Sequence, residues 1–103
     1  MSDEGFQPLG GGRYRVSGDL GFEAVPDLWE QSLAQFDSSA DVVIDLGQVN
    51  HVDSAGLVLI IEWIRWAQSN QTRLRLAEVP EKVLALARIS EVDEFLAGAF
   101  GQS

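Results

Sequence analysis

Short strand-like runs alternate with helix-like segments along this chain, and that order limits the possible fold more than any other feature. Strand candidates alternate apolar and polar residues or form short β-branched runs, whereas helix candidates repeat apolar residues every three to four positions. The predicted strands are residues 6–9, 13–17, 41–46 and 73–77, and the predicted helices are residues 24–36, 54–69, 80–89 and 91–100. Strands that alternate with helices pair in parallel through crossover connections.

Three consecutive glycines, residues 10–12, follow the first predicted strand and suit a tight turn into the second. This hairpin makes the sheet mixed. The predicted fold class is therefore α/β, with a mixed, mostly parallel sheet of about four strands flanked by helices. The 103 residues have the length of one compact domain, so residues 1–103 are expected to form a single domain. The run Val42-Val43-Ile44 is short, apolar and β-branched, which predicts a strand covered on both faces.

The charge balance and the residue types argue against several classes of function. The chain has 16 acidic and 7 basic residues, a formal net charge of −9, and its basic residues are scattered along the sequence. Nucleic acid requires clustered Lys and Arg, so no nucleic-acid partner is expected. The absence of cysteine excludes disulfides, thiolate metal sites and a cysteine nucleophile. Neither a metal site nor a cofactor is expected, because no histidine pair or carboxylate cluster is apparent.

The expected location is the cytoplasm, without direct insertion into a membrane. The longest strictly apolar run, residues 57–61, is far too short to cross a bilayer. The first four residues, Met1-Ser2-Asp3-Glu4, are acidic and show no signal-peptide pattern.

The most informative segment is residues 41–56, DVVIDLGQVNHVDSAG. A buried strand is predicted to end near Asp45, a short loop then carries Val49 and Val52, and Asp53-Ser54-Ala55-Gly56 opens a helix. This arrangement resembles the signature of STAS domains, the family of the bacterial anti-anti-sigma factors. In that family a strand ending in Asp leads to a loop and an Asp-Ser/Thr-small-Gly turn. The resemblance covers nearly the whole chain in element order, and it implies a STAS fold that acts by binding a partner protein.

Within this family the chain is most similar to the MlaB type, the small cytoplasmic STAS subunit of the Mla phospholipid-transport ABC complex. The supporting segments are Gly18-Asp19-Leu20, Leu28-Trp29-Glu30 and Lys82-Val83-Leu84-Ala85-Leu86-Ala87. The resemblance implies an adaptor that binds the transporter's ATPase subunit (MlaF-like), within a complex with permease and MCE-domain subunits. It also implies a position peripheral to the inner membrane and a role in maintaining the lipid asymmetry of the outer membrane.

The alternative within the same family is a sigma-regulatory switch. Ser54 and Ala55 stand where MlaB-type proteins can carry Thr and Gly, and the Asp-Ser order is equally typical of phospho-regulated anti-anti-sigma factors. In that alternative a kinase partner phosphorylates Ser54 and a phosphatase releases the phosphate.

The turn Asp53-Ser54-Ala55-Gly56 is the predicted centre of the partner-binding surface. A hydroxyl at Ser54 can cap the helix by accepting from free backbone N–H groups. Asp53 places negative charge near the positive end of the helix dipole, and Gly56 lets another backbone approach closely. Two interpretations remain open: the Asp-Ser pair is only a helix cap, or the Ser54 hydroxyl is the centre of a contact surface.

The second predicted helix has two apolar sides. The first side, predicted to face the core, is formed by Leu57, Ile60, Ile61, Ile64 and Ala67. Leu59, Trp63 and Trp66 lie on nearly the opposite side, at about 100° per residue. Exposed tryptophans are frequent interface anchors, so we expect these three residues to belong to the partner-binding surface. The alternative is that Trp63 packs under the N-terminal hairpin or the C-terminal helix.

A third hypothesis, from another class, is a small hydrolase built from Asp45, His51 and Ser54. The G-x-S-x-G elbow is missing, because Val52 stands where its first glycine belongs. No glycine-rich oxyanion loop and no P-loop are apparent. A non-catalytic function is therefore expected, with any ATP hydrolysis left to the partner.

Overall fold

The computed structural model describes residues 5–37 and 41–99, which form four strands and four helices. Their bounds, in chain order, are β1 (Gly5–Gly10), β2 (Arg13–Leu20), α1 (Val25–Gln35), β3 (Val42–Val52), α2 (Ser54–Ser69), β4 (Leu74–Ala77), α3 (Glu81–Ile89) and α4 (Asp93–Ala97). The strands form one sheet in the order β1-β2-β3-β4. β1 pairs antiparallel with β2, and the other two pairings are parallel. The predicted α/β class, hairpin and mixed, mostly parallel sheet are confirmed; the end of the last predicted helix, Phe100, lies outside the described residues.

Two strands extend further than the sequence predicts. β2 continues through Leu20 and β3 through Val52, so Val49 and Val52 lie in a strand and not in a loop. The pairing of β2 with β3 shifts register twice, and each shift adds one residue to β3. Such bulges interrupt the alternation of side chains between the two faces. The second half of β3 therefore lacks the alternating pattern that identifies a strand.

The helices cover one face of the sheet. The two parallel connections step across the sheet in the same direction, and right-handed crossovers of that kind place α1 and α2 on the same side. In β3, Val42 and Ile44 are buried, whereas Val43 and Asp45 are only half-buried. The prediction that β3 is covered on both faces is wrong, because α3 packs on α2 and none of the described helices covers the opposite face. The smallest extent of the molecule, 21 Å, fits one sheet and one layer of helices.

Helix α2 buries both of its apolar sides. Besides the predicted core stripe, Leu59 is 2% exposed and Trp63 is fully buried. The hairpin and α1 cover this second side. The ring of Trp63 lies 5.8 Å from that of Phe6, and its indole Nε1 donates to the Ser32 hydroxyl at 2.9 Å. The assignment of Leu59 and Trp63 to an exposed partner-binding surface is therefore wrong, and packing under the hairpin is correct for Trp63.

Trp66 occupies an intermediate position on the same side of α2. It is half-buried, and its ring lies 4.6 Å from that of Phe36. Part of the indole remains accessible at the edge of the aromatic cluster formed with the hairpin.

Each outer edge of the sheet is paired in part by the chain itself. On β1, the Phe6 N–H donates to Gln31 Oε1 at 3.1 Å, and Gln35 Nε2 donates to the Phe6 carbonyl at 3.3 Å. Pro8, two residues further along, has no N–H to offer. On β4, the Leu76 N–H donates to the Ala99 carbonyl. These contacts protect Phe6 and Leu76 from pairing with a further strand.

No helix in the described part of the chain is long and apolar enough to span a bilayer.

Candidate functional site

The candidate site lies where β3 ends and α2 begins. Asp53 leaves the strand in an extended conformation, with φ −127° and ψ −172°, and Ser54 is the first residue of the helix. Asp53 Oδ1 accepts from the backbone N–H groups of Ala55 at 2.9 Å and Gly56 at 3.2 Å. Asp53 is therefore the N-cap, and it satisfies two of the free donors of the first turn. The interpretation of Ser54 as the cap is wrong, because Ser54 is already the first helical residue and the extended Asp53 before it accepts the free N–H groups.

The second carboxylate oxygen of Asp53 connects this turn to the segment between β2 and α1. Oδ2 accepts from the Phe22 N–H at 3.1 Å. Gly21 leaves the space that this contact requires, because a Cβ there would lie 2.9 Å from the same oxygen. One side chain thus joins two segments that are about 30 residues apart in the sequence.

The environment of Asp53 favours its ionised form. The hydrogen bond from Phe22 is the largest cause that lowers the pKa of Asp53 below its ordinary value. Partial burial acts in the opposite direction, whereas the hydrogen bonds from Gly56 and Ala55 and the nearby His51 lower the pKa further. Hydrogen bonds to the charged form stabilise it, so Asp53 is a carboxylate at neutral pH.

Gly56 brings the first turn of α2 directly against the end of β2. A Cβ at Gly56 would overlap the carbonyl oxygen of Leu20. The same carbonyl accepts the Asp53 N–H at 3.4 Å. The expected close approach of another backbone at Gly56 is confirmed, and the backbone it meets belongs to this chain.

Ser54 lies on the outer side of this turn and is exposed. Within the described residues its hydroxyl makes no hydrogen bond, so it is available to a partner. Val58, one helical turn further along, is 53% exposed, and Phe22 is 77% exposed on the segment that Asp53 holds. We name Phe22, Asp53, Ser54, Ala55 and Val58 the helix-start surface.

Phe22 and Val58 were missed in the sequence analysis. A large aromatic residue directly after Gly21 in a turn is a signal that could have identified Phe22. Val58 could have been found from the helical period, because it follows Ser54 by four residues on the polar side of α2.

The three residues of the hydrolase hypothesis do not come together. Asp45 lies within β3, where its Oδ1 accepts from the Gly47 N–H at 2.8 Å. Val52 lies seven positions further along the strand, a span on the order of 20 Å. Asp45 therefore cannot orient His51 beside Ser54 as a triad requires. The described residues also contain no group of His, Cys, Asp or Glu side chains that could hold a metal ion.

These features define a small two-layer α/β domain that displays a capped serine turn at the end of a parallel strand. The chain matches the family model described as MlaB, STAS domain, over residues 10–98, and it belongs to the STAS-domain family. The matched region includes β2, β3 and the whole helix-start turn. STAS domains are typically non-catalytic. No curated protein matches the chain significantly.

Proposed function

We propose that this chain is a non-catalytic, cytoplasmic adaptor subunit that binds the ATPase of an Mla-type phospholipid-transport ABC complex. The family match supports this proposal, because the matching model is the MlaB-derived one. The observation that carries it is the exposed Ser54 on a turn that Asp53 fixes, together with the exposed Val58 one helical turn further along and the exposed Phe22 on the segment bound to the same carboxylate.

The helix-start surface is suited to recognition by shape and by one polar contact. The backbone N–H groups of Ala55, Gly56 and Leu57 already donate to Asp53, so they are not free to bind a ligand. The Ser54 hydroxyl can both donate and accept. Val58, one helical turn further along α2, and Phe22, on the segment bound to Asp53, supply exposed apolar area, as anchors do at protein interfaces.

The small side chains in the turn allow a partner to approach closely. Ala55 is half-buried and Gly56 is buried, so neither residue hinders access to the exposed Ser54. Three backbone hydrogen bonds to Asp53 fix the turn before binding. A surface that is already ordered loses little conformational freedom on association.

In this proposal the partner subunit hydrolyses ATP. The chain supports assembly and activity of the complex at the inner membrane. The separation of Asp45 from Ser54 is consistent with a binding role. The membrane position follows from the partner complex, which also contains the permease and MCE-domain subunits.

The alternative is an anti-anti-sigma factor in which Ser54 is phosphorylated. Ser54 is exposed at the first residue of a helix, where a kinase can reach it and where the helix dipole favours a phosphate. The adjacent Asp53 carboxylate opposes that charge. Mass spectrometry of the protein isolated from its native host distinguishes the two functions, because only the alternative expects phosphate on the peptide containing Ser54.

The proposal is tested by co-expressing the chain with the ATPase and permease subunits of the Mla-type transporter from the same genome. We expect the chain to co-purify with them and the ATPase rate of the purified complex to fall when the chain is omitted. A wild-type chain that neither co-purifies nor changes the ATPase rate would overturn the proposal.

A further inference from the structure

β3 is longer than β4, the strand beside it on its outer side. Its pairing with β2 continues to Val52, whereas its pairing with β4 ends at Asp45, opposite Ala77. The two bulges in the pairing with β2 contribute to this length, because each adds one residue to β3. Residues 47–52 therefore pair with β2 alone. We name the side of these residues that faces away from β2 the free β3 edge.

β4 ends early because the chain turns out of the sheet after Ala77. Glu78 adopts a left-handed conformation, with φ 56°, which interrupts an extended strand. Pro80 follows two residues later, has no N–H to donate, and stands directly before α3. The chain thus enters the helix layer at this point, and no strand of the described residues lies beside the free β3 edge.

Backbone groups of β3 alternate between its two neighbours, so some of them point to the free β3 edge. At the start of the strand, the Val42 N–H donates to the residue before β4, and the Val43 N–H donates to the residue before β2. At its end, the Asp53 N–H donates to the last carbonyl of β2 at 3.4 Å. The N–H of Val52, one residue earlier, therefore faces the opposite side, where β4 has already ended.

These backbone groups are left without a strand partner. Gln48 and Val49 pair with consecutive residues of β2, so one of the two also directs its N–H to the free β3 edge. Among residues 47–52 of the described chain, the hydrogen bond made outside the pairing with β2 is that from the Gly47 N–H to Asp45 Oδ1, at 2.8 Å. Unpaired edge groups are a template for another strand. Residues 47–52 carry no Pro, Lys, Asp or Glu, the residue types with which proteins protect such edges.

A groove of about 220 Å³ lies along the free β3 edge. Residues 49–52 form one wall, and Pro80 and Lys82 at the start of α3 form the other. Val49 and Pro80 are half-buried and Val52 is buried, so the groove offers apolar surface beside the unpaired backbone. Such a groove suits an extended chain with apolar residues on one side and polar residues on the other.

We propose that the free β3 edge binds an extended segment of a partner protein as an added strand, in line with β4. The edge is six residues long, about 20 Å. In contacts of this kind, backbone hydrogen bonds supply affinity and the groove selects alternate side chains. The segment carries apolar and polar residues in alternation, with the apolar ones against Val49 and Pro80. This contact goes beyond the proposed function, because it involves a different surface and does not require the ATPase.

A single extended segment suits this position better than a second copy of the chain. The outer strands of a second copy are protected in part, because Phe6 and Leu76 already donate to groups of their own chain and Pro8 has no N–H. The free β3 edge of a second copy would carry the start of its own α3 beside it. An isolated segment needs the width of one strand, about 4.8 Å.

The test uses a fluorescein-labelled peptide of alternating Val and Thr, titrated with the full wild-type chain and followed by fluorescence anisotropy. Its matched control is the same peptide with a methyl group on every backbone nitrogen, which keeps the side chains and removes every N–H donor. We expect the control to bind about tenfold more weakly or worse, as for the loss of two or more backbone hydrogen bonds.

Amide hydrogen exchange, measured by NMR on the same wild-type chain, locates the bound peptide. We expect a saturating amount of the unmethylated peptide to slow exchange of the Val52 N–H by about tenfold or more, because the added strand protects it. The Val43 N–H, which already donates to the Gly12 carbonyl at 2.9 Å, is the internal control and should not change.

The inference is overturned if the chain does not bind the unmethylated peptide, or if it binds both peptides equally, since backbone pairing would then contribute nothing. Protection that appears at Phe6 or Leu76 and not at Val52 would place the peptide on an outer edge and overturn it too. So would a dimer of the free chain, seen by analytical ultracentrifugation, in which the Val52 N–H is already protected. The experiment contains no ATPase, so either proposal can fail while the other stands.

Discussion

Asp53 connects strand, turn and helix through a single side chain. One oxygen caps α2, and the other holds the segment that carries Phe22. The residue therefore positions Ser54 and Phe22 relative to each other, although it is itself half-buried and less available to a partner than either. Its contribution depends on its ionised state, which its hydrogen bonds favour.

Asp53→Asn should make the free energy of unfolding depend less on pH in the acid range. The folded-state pKa of Asp53 lies below its unfolded value, so its charge contributes stability that is fully present above about pH 4 and is lost as pH falls through the folded pKa. Urea unfolding should show that the variant has a lower free energy of unfolding than wild type at pH 7. At pH 3 the difference between the two proteins should be smaller. Glu30→Gln, which removes an exposed carboxylate from α1, is the control. It measures the change in stability that the loss of any negative charge would cause. A deficit of equal size at both pH values would contradict this role of the charge.

Gly56→Ala should destabilise the domain by about 1–3 kcal/mol, the usual cost of forcing extra volume into a packed site. The added methyl group would overlap the Leu20 carbonyl, and backbone on both sides leaves little room to adjust. Gly98→Ala is the matched control, since a Cβ there meets nothing within 4 Å. Urea unfolding curves measure both. Equal stability of the two variants would show that α2 and β2 can separate without cost.

At the scale of elements, α2 determines the structure because it is buried on two sides. The helical period identified both apolar sides from sequence, and the bounds Ser54–Ser69 were predicted correctly. What covers the second side could not be predicted, because Phe6 and Ser32 lie about 30 to 60 residues earlier in the chain. Only the tertiary packing of the hairpin and α1 brings Phe6 and Ser32 over Trp63. From sequence, Leu59 and Trp63 therefore seemed free for a partner.

The Trp63–Ser32 hydrogen bond is a buried polar contact between α2 and α1, and it can be measured with a double-mutant cycle. Ser32→Ala leaves the indole N–H unpaired in the core, which should cost about 1–3 kcal/mol. In a Trp63→Phe background the same substitution should cost clearly less, because no donor is left without a partner. Ser69→Ala, at an exposed position, serves as the control. Equal costs of Ser32→Ala in both backgrounds would show that the hydrogen bond contributes nothing.

The strands show which features a local sequence pattern can predict and which it cannot. The order of elements and the mixed sheet followed from the alternation of strand and helix patterns. The length of β3 did not, because two bulges break its alternation. The motif Asp53-Ser54-Ala55-Gly56 located the turn correctly, but Phe22 joins it only through a tertiary hydrogen bond.

At the scale of the whole molecule, the two-layer architecture separates the available surfaces. Each sheet edge is paired in part, helices cover one face, and no helix of the described residues covers the opposite face. The helix-start surface lies at the end of the parallel strands, away from the arginines of β2 and β4 near their beginnings.

The arginines of β2 and β4 are brought onto one face by the topology, which sequence cannot reveal. Arg13 and Arg75 become neighbours of Val43 only because β2, β3 and β4 are adjacent and parallel in one register. A shift of one residue in either pairing would send these side chains to the other face.

The most direct test of the central claim is the affinity of Ser54 variants for the purified Mla-type ATPase, measured by isothermal titration calorimetry. Ser54→Ala keeps the shape of the helix-start surface and should bind with only a modest loss. Ser54→Arg adds bulk and a charge unfavourable for the helix dipole, and Ser54→Asp buries an unpaired charge against the partner, so both should fail to bind. Ser69→Arg, at the other end of α2, is the control and should bind as wild type does. Wild-type affinity in folded Ser54→Arg and Ser54→Asp variants would contradict the account, because Ser54 would then lie outside the interface.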